Sequence, residues 1–411
     1  MAAVEKTDPT RVIDASTVVG RLAWLRVGVA VAAVGWGANQ FAPMLLVYRA
    51  RLGLSEETVQ ATFGFYALGL IPGLLVFGAL SDRVGRRRVM LPALVASFAA
   101  SAVLIAGGHV AGLLFVGRFV AGLASGAAFS SGAAWIKELS AGVGADERSG
   151  PRRVTVTMTA GFGAGPLVAG LLAQWAPAPT TVPYLPHLAL LVVAVAVIAG
   201  ARETRVADPG RPHGALVRAA DLFKPRLRAV VLPLAPWVFG SAAIALAYLP
   251  GLVDGALGGS ALAFTAVVTM LTALAGIAVQ PAARRISAGG HSALVASSLA
   301  IVTAGLVVSA VAAAQTSPSL VVVAVLVLGA GYGACQVCGL QEITRLARPE
   351  ALAGLTAVYQ AVSYLGFALP FVLAALASSW SPAMLLVAVA VLAAITLVWT
   401  TAAAIRTRER S

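Results

Sequence analysis

Apolar residues gather in twelve long runs along this chain, and polar residues gather between them. A helix needs about 20 apolar residues to cross a bilayer. The runs fall at 22–48, 57–80, 88–107, 109–134, 153–175, 184–201, 228–252, 259–281, 292–314, 318–343, 351–375 and 380–403. Each is too long for a barrel strand. Irregular chain facing lipid would leave backbone polar groups unsatisfied, so the runs are read as helices. The pattern predicts an all-α membrane protein of about twelve transmembrane helices. The first run is too long for the core of a cleavable signal and is expected to stay as the first span.

The longest connection, 202–227, is polar and holds Pro209, Gly210, Pro212 and Pro225. It divides the spans six and six. The expected organisation is a tail at 1–21, a six-helix bundle at 22–201, a linker at 202–227, a second bundle at 228–403 and a tail at 404–411. A weak internal repeat supports two pseudo-symmetric halves. Gly78, Asp82, Arg86 and Arg87 match Gly276, Gln280, Arg284 and Arg285 at the same spacing, with Ala283 in place of Gly85. The segment Trp135–Leu139 also matches Gly339–Ile343, aligning Glu138 with Glu342.

Charge orients the helices. Arginines and lysines concentrate in the N-terminal segment, in every second connection and in the C-terminal tail; the exceptions are Arg49, Arg51 and Arg118. Basic loops mark the cytoplasmic side, so both termini are expected to be cytoplasmic.

Composition agrees. Hydrophobic residues make up 59% of the chain and mean hydropathy is +0.91. Only 11% of residues are charged, against about 25% in soluble domains. The net charge of +13 comes from 29 basic and 16 acidic residues. Because the basic residues lie between apolar runs, their expected partner is the anionic bilayer surface and not nucleic acid. No phosphate-binding Gly-Lys-Ser/Thr loop, zinc-ligand spacing or nucleophile motif appears, so neither an enzyme nor a bound cofactor or metal is expected. Cys335 and Cys338 form a C-x-x-C, but their glycine-rich neighbours read as helix packing.

Four groups of residues carry candidate chemistry. The stretch Gly78–Arg88 is read as a tight turn between two helices, with Gly85 easing the turn. Asp82 can accept hydrogen bonds there, and Arg83, Arg86 and Arg87 can pair with acids such as Glu138. Arg118 is the basic residue deep in a run, and Gly122 and Gly126 follow it at helical spacing. Such glycines let a neighbouring helix approach, and a charge at membrane depth is functional by default. In the fifth run, Gly161, Gly165, Pro166 and Gly170 predict a kinked helix packed against the other half. In the first run, Trp36, Gln40 and Pro43 share a helical face, which is expected to line a cavity. Asn39 lies beside them. Trp237, Tyr332, Gln336 and Gln360 are further cavity candidates, with Phe65, Tyr248 and Tyr359 behind them. His187 is read as a helix-end polar residue that can titrate.

The Gly78–Arg88, Arg118 and Gly161–Gly170 motifs resemble those of the major facilitator superfamily. They are closest to the twelve-helix drug:proton antiporter branch. There the last motif usually ends in two glycines, where this chain has Ala169-Gly170. The resemblance spans most of the chain. It implies two bundles that rock around a central cavity. It also implies a cytoplasmic latch between the halves at Gly78–Arg87 with Glu138. The expected activity is export of a small amphipathic organic compound, a drug or metabolite, by proton antiport. The expected setting is a monomer in the cell inner membrane. An importer or facilitator of a small metabolite is the alternative, and a non-transporting sensor a further one. One departure bears on coupling: exporters of this branch often carry an acid inside the first helix, and this chain has none there.

Overall fold

The computed structural model describes residues 15–142, 149–204, 219–348 and 351–408. The expected tails 1–21 and 404–411 and the linker 202–227 lie partly outside these residues. Twelve helices among the described residues are long and apolar enough to cross a membrane. They are α1 (Leu22–Leu52), α2 (Glu56–Val84), α3 (Arg86–Gly107), α4 (Ala111–Ala141), α5 (Ser149–Trp175) and α6 (Val182–Ala199). The second set is α7 (Leu227–Leu252), α8 (Asp254–Ala288), α9 (Ser292–Gln315), α10 (Pro318–Leu346), α11 (Gly354–Leu376) and α12 (Pro382–Arg406). The fold is the all-α, twelve-helix architecture that the apolar runs predict.

The helices outrun the apolar runs at their ends. Arg49 and Arg51 belong to the last turn of α1, and Asp82 and Arg83 to the last turns of α2. The expected tight turn at Gly78–Arg88 is therefore almost wholly helical. Only Gly85 separates α2 from α3, at φ 106°, a left-handed conformation that side chains disfavour. Gly290 does the same between α8 and α9, at φ 154°. The sequence repeat had aligned Gly85 with Ala283. In the structure the second elbow lies two turns later, because α8 runs on past that point. Arg284 and Arg285 are consequently exposed on a helix and are not gathered at a turn.

Two hydrophobic cores organise the molecule. One is built mainly from α1–α6 and the other from α7–α12. Small residues set the closest crossings in each. A side chain on Gly122 would strike the Tyr66 carbonyl, and one on Gly126 would meet Leu74 N at 2.5 Å. Gly69 and Gly73 of α2 reciprocate against Phe119 and Leu123 of α4. In the second half Gly276 of α8 meets Gly329, Tyr332 and Gly333 of α10 in the same way. Backbones this close gain dispersion contacts that lipid tails cannot match. The crossing partner of α4 is thus α2: Gly122 and Gly126, expected to admit a neighbouring helix, meet Gly69 and Gly73, which the sequence reading did not single out.

The halves meet chiefly through α2 with α7 and α11, and through α5 and the end of α1 with α8. One end of the bundle carries the arginines at Arg26, Arg86, Arg202, Arg226 and Arg345 and is called the basic end here. Polar bridges between the halves lie at the opposite end. There Gln60 Nε2 donates to the Ala247 carbonyl at 2.8 Å, and Gln174 donates to the Gly259 carbonyl. Ala247 sits in a π-helical turn of α7, Ile244–Tyr248. Such a turn departs from regular α-helical hydrogen bonding.

Candidate functional site

At the basic end, Arg86 is the hub of a charged cluster. Its side chain is 4% exposed. It donates to Glu138 through Nη2 at 2.7 Å and Nε at 3.3 Å, to Ser81 Oγ at 2.5 Å, and pairs with Asp82 at 2.7 Å. Bidentate arginine–carboxylate pairing of this kind fixes direction as well as charge. Glu203, just beyond α6, accepts from the backbone N–H groups of Arg86 and Arg87 at 3.1 and 2.9 Å. A carboxylate there complements the N-terminal dipole of α3. Thr204 donates to Glu138 at 2.5 Å, Arg87 to the Ala199 carbonyl at 3.0 Å, and Trp135 to the Arg202 carbonyl at 2.9 Å. Gly78 packs α2 against Ser130 of α4, and Arg83 is half-buried.

The expected pairing of Arg86 with Glu138 is present, but it does not join the halves. Every partner described for Arg86 belongs to the N-terminal half, so in this arrangement the cluster clamps α2, α3, α4 and the exit of α6 together. Sequence reading missed Ser81, Glu203 and Thr204. Glu203 follows the last apolar turn of α6, and a carboxylate there was the available signal.

The second half builds an equivalent clamp from different parts. Glu342, at the end of α10, receives Arg226 through Nε at 2.6 Å and Nη2 at 3.0 Å, with Arg345 at 3.5 Å. Arg226 also donates to the Ala404 carbonyl. The Glu342 carboxylate holds the Arg226 guanidinium above its ordinary value. Asp221 pairs with Arg348 at 2.8 Å and Lys224 at 3.3 Å.

Arg118 lies inside the first half. It is 1% exposed and donates to the carbonyls of Ala38 at 3.2 Å and Phe63 at 3.5 Å. Its guanidinium stands 4.6 Å from the Phe41 ring centroid, 4.5 Å from that of Tyr66 and 5.8 Å from that of Phe63. Ring faces attract a cation, most strongly where water is excluded. No carboxylate pairs with it among the described residues. Its Nε is buried without a partner.

The fifth-helix motif divides between two neighbours. Gly161 and Gly165 press against Ala32 and Trp36 of α1, in their own half. Only Gly170 meets the other half, where a side chain would strike Ala266 of α8 at 2.5 Å. This corrects the expectation that all these glycines face across the halves. The period of the motif marks a face; it does not name the neighbour. Pro166 lies inside an uninterrupted helix.

The cavity candidates also divide. Gln40 is fully buried but turns into its own half, toward Ser101 and His187. Trp237 is buried in the second core. His187 stands in the first turn of its helix, as a helix-end residue would, but it is fully buried among α1, α3 and α6. The residues on the seam between the halves are Phe239 and Tyr332, which pack against both cores. Phe239 stacks on Tyr364 at 4.3 Å and Phe367 at 5.1 Å, and Phe63 and Tyr66 reach Phe367 from α2. One turn from Tyr332, Gln336 donates to Gln360 at 3.2 Å while its own Oε1 is buried without a partner. Trp36 is half-buried and its Nε1 also lacks a partner; Asn39 beside it is half-buried. Cys335 and Cys338 are free and buried, and the Tyr359 hydroxyl donates to the Cys335 carbonyl at 3.1 Å.

Comparisons with known proteins agree with this geometry. The family model described as Major Facilitator Superfamily matches residues 27–371. A solved structure described as a POT family transporter in complex with 5-aminolevulinic acid superposes with a TM-score of 0.75 at 11% identity, over 95% of this chain and 96% of the other. The nucleoside transporter NupG superposes with a TM-score of 0.69 at 12% identity, over 93% and 99%. At these identities the likeness is one of fold. No curated protein matches the chain in sequence. Twelve spanning helices in two cores and a family match over most of its length place this chain in the Major Facilitator Superfamily, as a multi-pass membrane transporter of small molecules and not an enzyme.

Proposed function

We propose that this transporter exports a small amphipathic organic compound by proton antiport, with alternating access to the seam between its halves. The basic end faces the cytoplasm of a cell whose inner membrane holds the protein, by the charge rule. The polar bridges between the halves, Gln60 to Ala247 and Gln174 to Gly259, then lie on the outer side. The observation that carries the substrate reading is the seam itself. Its wall is aromatic, from Phe239, Tyr332, Tyr364 and Phe367. Two of the cavity candidates carry buried polar atoms without a partner, the indole N–H of Trp36 and an amide oxygen of Gln336 one turn from Tyr332. Binding sites for organic molecules combine mostly apolar walls with few polar groups. Gly170, which joins α5 to α8, supports export through the motif it closes. The motif resembles that of exporting branches.

The test is transport in reconstituted vesicles with a panel of fluorescent amphipathic dyes under an imposed proton gradient. Uphill dye movement that collapses with the gradient is expected. Movement indifferent to the gradient sinks the antiport reading. Trp36→Ala and Gln336→Ala are expected to raise KM for transported dyes; an unchanged KM in both removes the seam as the binding site.

A further inference from the structure

The acids described in this chain stand at helix ends: Glu56, Glu57, Asp82, Glu138, Glu203, Asp221, Asp254 and Glu342. A proton carrier inside the bundle must come from another residue type. Arginine, tyrosine and cysteine titrate far from the range in which histidine ordinarily does. Among the described residues one histidine is enclosed by helices on all sides, His187.

Its surroundings specify its protonation state. Nε2 lies 3.0 Å from the Ala33 carbonyl, which can only accept, so Nε2 carries a hydrogen. Nδ1 lies 3.1 Å from Gln40 Nε2, which can only donate, so Nδ1 carries none. The Ser101 hydroxyl completes the group, 2.8 Å from Nδ1 and 3.2 Å from the Gln40 amide. The ring is neutral here. Meanwhile Gln40 Oε1 is fully buried and accepts from nothing.

That orphaned oxygen gives the group a second hydrogen-bonded state. If Nδ1 gains a proton, it becomes a donor facing a donor. Half a turn of the Gln40 amide brings Oε1 to Nδ1–H, and the Ser101 hydroxyl reverses to accept as well. The unmet acceptor of the neutral state is thereby used in the charged one, and the amide N–H groups take its former place. Gln40 lies between the two helical stretches of α1, Ala15–Asn39 and Phe41–Leu52, with its own backbone still helical at φ −56° and ψ −20°. The far piece of α1 packs against α8 of the other half. Gln40 therefore stands on the helix whose far end reaches the seam.

We propose that His187 takes up and releases the counter-transported proton, and that Gln40 relays its charge to α1. The inference rests on the antiport reading. The proton enters as a second N–H on Nδ1 and leaves from the same atom, with no other bond made or broken. The neighbouring titratable and charged groups are few. On α1 and α6, Tyr48 and Tyr184 bond each other at 2.8 Å; on α4, Arg118 donates to Ala38; α3 presents Ser97 and Ser101. None is a carboxylate, so charging the ring is costly while it is enclosed, and the proton must enter and leave through states that admit water.

The test uses spin-labelled full-length protein in lipid nanodiscs. One label pair spans the halves at Arg51 and Ala256, and a second at Arg88 and Arg285, all exposed positions. Lowering pH from about 8 to about 4 covers the ordinary histidine range and the cost of charging an enclosed ring. Distances at the two ends are expected to change in opposite senses in the wild type. In His187→Gln the change is expected to vanish, with folding confirmed by an unaltered melting transition. In Gln40→Leu it is expected to persist with its midpoint about one pH unit lower, the loss of one hydrogen bond to the charged ring. A pH response that survives in His187→Gln overturns the assignment, as does a wild type with no response. Dye export that ignores the gradient while His187→Gln abolishes the pH response overturns the antiport reading and the coupling role with it, and leaves His187 as the group that sets the pH response.

Discussion

The two halves share an architecture and differ in what they bury. Each closes a helix pair through glycines, α2 on α4 and α8 on α10. Each ends its fourth helix in a glutamate that receives an arginine, Glu138 or Glu342. Yet the first half holds Arg118, His187, Gln40 and the Tyr48–Tyr184 pair in its interior. The second holds cysteines, Tyr359 and single hydroxyls. Common scaffolding with one-sided chemistry teaches that packing is duplicated while function is not. A buried charge must be met by specific partners, whereas a glycine crossing needs only the absence of a side chain.

The largest effect should strike both halves alike. Gly122→Leu and Gly333→Leu each drive a side chain into the backbone of the facing helix. Overpacking a core usually costs about 1–3 kcal/mol, and here no flexible neighbour can give way. Neither variant is expected to yield folded, monodisperse protein on size-exclusion chromatography. Recovery of one and not the other would break the symmetry of the scaffold.

Next comes the asymmetry. Arg118→Leu should leave thermal stability nearly intact, because ring faces and carbonyls are its only described partners, and should lower transport about tenfold or more. Transport at the wild-type rate would make Arg118 a packing residue.

The end glutamates should rank by burial. Glu342, 3% exposed, takes its charge from the buried pair with Arg226 when changed to glutamine, at a cost of about 3 kcal/mol. Glu138 is 30% exposed, so Glu138→Gln should cost about 1 kcal/mol. A reversed order in melting experiments would mean that solvent access does not govern these clamps. Smallest is Asp82→Asn. Its carboxylate is 51% exposed and pairs one turn away, so roughly 0.5 kcal/mol or less is expected. A larger loss than that of Glu138→Gln would restore Asp82 as the centre of the cluster.

The number of helices and their class were legible because a span leaves an apolar run that loops cannot imitate. The ends were less so. Arg49, Arg51, Asp82 and Arg83 are polar yet helical, since a helix can leave the apolar layer without stopping. Faces were legible and neighbours were not. Gly161 and Gly165 do mark a packing face, but α1 and not α8 covers it. Gln40 is a buried amide within α1, yet its direction depends on Ser101 and His187, which lie on other helices. The repeat failed at Gly85 for a related reason: an elbow needs one glycine, and the extra turns of α8 moved it to Gly290.

The glycine crossings also constrain how such a transporter can diversify. Backbone against backbone leaves no side chain to exchange, so these positions admit almost no inherited variation. Phe239, Tyr332, Gln336 and Trp36 contact neighbours through side chains and can be replaced one at a time without separating the helices beneath them. Lineages of this protein are expected to differ at the seam while their crossings stay fixed, so that new cargo is acquired on an old frame.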